Sequence, residues 1–106
     1  MVSRMANPER MIPVSTYRFD PGQTFTEVRN LIEEINRPSN KGLVAKLTWK
    51  EGTAKDQEVS YYYDAMADRF GHMVDKSSIQ QEVLTSLYVG IPVEIQLVPR
   101  HARGGG

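Results

Sequence analysis

The chain has 106 residues, about one domain's worth, which excludes a second full-sized core. Thirteen Lys and Arg balance thirteen Asp and Glu, so the basic excess of a dedicated nucleic-acid or anionic-membrane binder is missing. No apolar run approaches the roughly 20 residues of a bilayer span, and without cysteine there is no disulfide, thiolate nucleophile or Cys-ligated zinc.

The chain begins Met1-Val2-Ser3-Arg4-Met5, without the apolar core of a secretory signal, which points to a cytoplasmic protein. Val2 to Ala6 is a candidate short strand, turned back at Asn7-Pro8-Glu9-Arg10. Met11 to Phe19 is dense in β-branched and aromatic residues and predicts a strand, with Pro13 favouring an edge or unpaired position. Asp20-Pro21-Gly22 stops it. Thr24 then occupies an N-cap position with Glu27 three residues on, a capping box. Phe25, Val28, Leu31, Ile32 and Ile35 fall on one helical face, and Pro38 ends the segment.

From Gly42 to Lys50 apolar Leu43, Ala45, Leu47 and Trp49 alternate with polar neighbours, a half-buried strand. Residues 51–56 read as a loop, and Glu58 to Tyr63 as a strand with Val59, Tyr61 and Tyr63 on one side. Residues 64–76 fit no single period. Ser77 or Ser78 caps a second helix to about Leu87, carrying Ile79, Val83, Leu84 and Leu87, with Gly90 as its left-handed stop. Val93, Ile95 and Leu97 alternate in a last strand closed by Pro99, and residues 100–106 read as a mobile tail. The organisation is one α+β domain over 1–99 followed by that tail.

Asp64, Asp68 and His72, followed by Asp75, have the four-residue spacing that would align metal ligands on a helix, against the plainer reading of a solvated polar face. Tyr61-Tyr62-Tyr63 with Tyr17 and Phe19 could form a base-stacking platform, but the basic-glycine-aromatic pattern of RNA-recognition motifs is missing, and alternate tyrosines commonly pack against a helix. His72 and His101 are the two histidines, and no strand-to-helix nucleophile elbow or phosphate-cradling glycine loop is present. The expectation is a non-enzymatic protein with no cofactor or metal, binding neither nucleic acid nor membrane.

Val14 to Ile32, a strand followed by Asp20-Pro21, capping Thr24 and an apolar helix, resembles the second strand and first helix of ubiquitin-like β-grasp proteins. Gly42 to Gly52 is similar to the third strand and its turn. Leu84 to Gly106 resembles the family's end, where an alternating strand leads through Arg100, His101 and Arg103 to Gly104, Gly105 and Gly106. The resemblance implies a β-grasp sheet on a central helix, with residues 53–83 as an inserted strand and helix. It also implies a monomeric modifier conjugated through Gly106 by isopeptide linkage. Activating and conjugating enzymes would be the protein partners, Arg100 and His101 partner contacts, and Arg103 to Gly106 the conjugation tail. Glycine's missing Cβ suits a segment that threads a narrow channel. Lys41, Lys46, Lys50, Lys55 and Lys76 are candidate acceptors for chains. Two alternatives accompany this reading: a ferredoxin-like strand–helix–strand–strand–helix–strand fold, and a small adaptor or inhibitor that binds another protein through its sheet face without conjugation.

Overall fold

A computed structural model describes residues 13–71 and 77–100. The elements are β1 (Ser15–Phe19), α1 (Phe25–Ile35), a 3₁₀ turn (Pro38–Asn40), β2 (Leu43–Trp49), β3 (Glu58–Asp64), β4 (Arg69–Gly71), α2 (Ile79–Tyr88) and β5 (Val93–Pro99). The fold is α+β. One five-stranded sheet has the order β1-β5-β2-β3-β4, and every strand pair in it is antiparallel. The last strand is therefore internal, with β1 on one side, in register from Ser15 opposite Leu97 to Phe19 opposite Val93, and β2 on the other.

Strand alternation divides the sheet into two faces. Phe19, Ala45, Leu47, Tyr61, Phe70, Val93, Ile95 and Leu97 point to the covered face and are buried with Val28, Ile32 and Ile35 of α1 and Ile79 and Val83 of α2. Both helices thus lie on one side of the sheet. The opposite face carries Arg18, Lys46, Thr48, Glu58, Glu94 and Gln96, including the ion pairs Lys46–Glu58 at 3.8 Å and Lys50–Glu94 at 3.9 Å.

The expected capping box is present. The Thr24 N–H donates to Glu27 Oε1 at 2.9 Å and the Glu27 N–H to Thr24 Oγ1 at 3.1 Å. Ser78, not Ser77, caps α2, accepting from the Gln81 N–H at 3.1 Å, and Gly90 stands beyond the helix at φ +84°. Each helix is also tied to the sheet by a side chain. Asn36, at the end of α1, donates to the Ile32 carbonyl at 3.1 Å and accepts from the Phe70 N–H at 2.7 Å. Trp49 of β2 donates through Nε1 to Ser86 Oγ at 2.9 Å, and Ser86 donates onward to the Glu82 carbonyl at 2.9 Å.

Several expectations are corrected. Phe25 is the first residue of α1 and is 55% exposed, lining a surface recess with Leu84 and Leu87 of α2 rather than the core. Leu84 and Leu87 are half-buried, and Ser86 takes the buried position between them. β5 does end at Pro99 as expected, with Pro99 its last residue, opposite Leu43. Residues 53–83 supply β3, β4, part of α2 and the core side chains Tyr61, Phe70, Ile79 and Val83, so they are integral to the sheet and core. The candidate strand Val2–Ala6 and its hairpin lie outside the described residues.

Candidate functional site

The described part of the C-terminal site begins where β5 ends. Pro99 pairs with Leu43, and the next residue, Arg100, is exposed, with its guanidinium 5.0 Å from the centroid of the Tyr62 ring. Tyr62 lies between Tyr61 and Tyr63 on β3, and alternation turns it to the face opposite the helices. A cation over an aromatic face is attracted by the ring quadrupole, by about 0.5–1 kcal/mol at an exposed site. Beside this pair, at the β3–β4 turn, is a recess of about 400 Å³ lined by Tyr62, Tyr63, Asp64, Met66, Gly71 and Arg100, among others. Met66 stands at its rim and is 97% exposed. Of the residues named for the tail, Arg100 is placed on this corner, whereas His101, Arg103, Gly104, Gly105 and Gly106 lie outside the described residues.

The metal-ligand spacing does not survive folding. Residues 64–71 form a turn into β4, not a helix, so side chains four apart do not stack on one face. The Asp64 carboxylate accepts from the Met66 N–H at 3.0 Å, and Asp68, left-handed at φ 58°, accepts from the Tyr63 hydroxyl. That hydrogen bond holds the Tyr63 phenol above its ordinary pKa, because the phenol donates it only while protonated. His72 and Asp75 lie outside the described residues. Among the described residues no three His, Cys, Asp or Glu side chains gather as metal ligands.

The tyrosines divide between the faces. Tyr61 is buried, Tyr63 meets Phe70 edge to face with centroids 5.5 Å apart, and Tyr17 and Phe19 also face the helices. Burial raises the Tyr17 pKa, with the nearby Glu34 carboxylate adding to it. Tyr62 alone of this group is turned to the open face, so the five rings form no continuous platform there.

A polar cleft of about 230 Å³ lies between α1, β4 and the start of α2, lined by Arg29, Glu33, Asn36, Asp68, Arg69 and Ser78, among others. Its two guanidinium groups are balanced by two carboxylates. A third recess, of about 320 Å³, lies between Phe25 of α1 and Leu84, Leu87 and Tyr88 of α2. Helical spacing placed Phe25 on the covered face of α1, while the sequence offered Tyr62 only as part of a stacking platform and gave Met66 no role. Strict alternation in Tyr61-Tyr62-Tyr63 is the signal that marks Tyr62 as the ring turned away from the helices. No helix among the described residues is long and apolar enough to cross a membrane.

Compared with protein-family models, curated proteins and solved structures, the chain matches none.

Proposed function

We propose that the protein is a ubiquitin-like modifier, attached to its targets through the carboxylate of Gly106. The carrying observation is the strand–capped helix segment of Val14 to Ile32 combined with a C-terminal run of Arg-His-Ala-Arg-Gly-Gly-Gly directly after an internal strand. β5 is paired with β1 as far as Leu97 and with β2 to Pro99, so the segment after Pro99 starts from a paired residue. Arg100, stacked on Tyr62, marks that point on the face away from the helices.

In this reading the chain is a substrate and its partners are the catalysts. The Gly106 carboxylate attacks the α-phosphorus of ATP on an activating enzyme, forming an acyl adenylate and releasing pyrophosphate. A partner thiolate displaces AMP to form a thioester, and a target lysine amine displaces the thiolate to form the isopeptide, losing a proton. Arg100 and Arg103 give charge-assisted contacts to an acidic groove of the activating enzyme. Among the described candidate acceptors, Lys41 and Lys55 are exposed, while Lys46 and Lys50 are half-buried in ion pairs.

The β-grasp assignment belongs to this proposal. The second reading, a non-conjugated adaptor, is favoured by the recess at Tyr62 and fully exposed Met66, an aromatic and apolar corner on the sheet's open side. Incubation with candidate activating and conjugating enzymes and ATP, read by intact mass, tests the choice. A modifier forms adducts of one chain plus target less one water, and loses all of them when Gly105 and Gly106 are deleted. A chain that forms no adduct, yet keeps a partner after that deletion and loses it on Met66→Asp, is the adaptor.

A further inference from the structure

The recess between the two helices differs from the others in its chemistry. Its lining, which includes Pro21, Gln23, Phe25, Leu84, Leu87 and Tyr88, contains no charged side chain, whereas the polar cleft and the Tyr62 corner each contain both signs. The neutrality extends along the chain, since no residue from Val83 to Val93 is charged. Apolar side chains are nonetheless displayed here: Tyr88 is 91%, Val89 62% and Phe25 55% exposed. Of the five large apolar side chains exposed among the described residues, Phe25 and Tyr88 line this recess and Val89 follows Tyr88 in the chain.

We propose that this surface binds a second copy of the chain about a two-fold axis, with Tyr88 of each copy inserted into the Phe25–Leu84–Leu87 groove of the other. Three properties select this occupant. A two-fold contact sets each group near the axis against its own copy, so any charge there meets a like charge, and a charge-free surface escapes that penalty. The surface carries both a protruding ring and an adjacent recess, which makes it complementary to itself. Its size also fits a modest homodimer: an aromatic side chain buries about 150–250 Å², so the exposed parts of Phe25, Tyr88, Val89 and the two leucines offer on the order of 500 Å² per copy. Two copies would bury about 1,000 Å², below the roughly 1,200–2,000 Å² of stable specific interfaces, which gives a weak, concentration-dependent dimer. The groove and the Tyr62–Arg100 corner lie on opposite sides of the sheet, so pairing leaves the start of the tail uncovered.

Sedimentation velocity of the full chain from about 10 µM to about 1 mM tests the proposal over the range expected for an interface of this size. The weight-average mass should rise from 12.0 kDa toward twice that value. Tyr88→Lys and Phe25→Lys should each raise the dimer dissociation constant at least tenfold while the circular dichroism spectrum is kept. Lys46→Gln, on the far face of the sheet, should leave it unchanged. A mass that stays at 12.0 kDa throughout overturns the proposal. So does a dimer undiminished in both groove variants, or one equally weakened by Lys46→Gln. The chain lacking Gly105 and Gly106 should dimerise like the full chain, so conjugation and self-association can fail separately.

Discussion

The two helices share one core but meet solvent differently. The outer side of α1 is charged, with Glu27, Arg29 and Glu33 exposed, whereas α2 has no charge after Glu82 and ends on exposed Tyr88. A charged outer face is what a helix that only covers a sheet should carry. The neutral α2, ending on an exposed tyrosine, is the surface on which the proposed self-association rests. Both bury their inner faces equally well, since Val28, Ile32 and Ile35 of α1 and Ile79 and Val83 of α2 are all at most 3% exposed.

The largest test of this comparison removes one core side chain from each helix. Ile32→Ala and Ile79→Ala should each destabilise the protein by about 2–5 kcal/mol, because each deletes buried methylenes and leaves a cavity. Urea unfolding measures both. An Ile79→Ala cost below about 1 kcal/mol would make α2 an appendage of the sheet rather than half of its cover.

Next come the two side-chain ties. Asn36→Ala strips the Phe70 N–H of its acceptor, and Ser86→Ala does the same to Trp49 Nε1. An unsatisfied buried donor costs about 1–3 kcal/mol. Asn36→Ala should be the costlier, since Phe70 is fully buried and Trp49 only half-buried, leaving its ring nitrogen nearer to water. Equal melting temperatures for the two variants would contradict that ranking.

The caps give a smaller contrast. Thr24→Ala removes one half of a reciprocal box, while Ser78→Ala removes a single acceptor. Each should cost about 1 kcal/mol, Thr24→Ala the more by a few tenths, read as a shift in the urea midpoint at constant slope.

The same contrast shows what the sequence made legible. In α1 the box, the apolar spacing and Pro38 all agree, and the helix forms where they put it. In α2 the cap and the spacing predict the helix and its inner side, where Leu84 and Leu87 pack half-buried against the core, but not the exposure of Tyr88 at its end. Nor does the spacing in α1 predict the exposure of Phe25 at its start. β4 was not legible, since three residues, Arg69-Phe70-Gly71, are too few to display a period, and the Asp64–Asp68 turn imitates helical spacing. The ring under Arg100 could be inferred only once β3 was fixed, and the residues that would carry conjugation, 101–106, lie beyond the described fold.

The last difference between the helices is electrostatic. Tyr17 packs under α1, and burial together with the Glu34 carboxylate raises its pKa above the ordinary 10.0. Tyr88, at the end of α2, is instead 91% exposed. A phenol whose pKa is higher in the folded protein stays protonated there while the unfolded chain ionises, so the folded state binds more protons above about pH 10. Stability from this source is whole below the unfolded pKa, and is lost as pH rises through it toward the folded one. Wild-type urea midpoints should therefore fall as pH rises above about 10. Tyr17→Phe should flatten part of that fall. Tyr63→Phe should flatten it less, because the Tyr63 hydroxyl is exposed and its bond to Asp68 is screened by water. Equal slopes in the wild type and Tyr17→Phe would show that the half-buried Tyr17 phenol ionises alike in the folded and unfolded chains, and would leave the packing contrast between the helices standing alone.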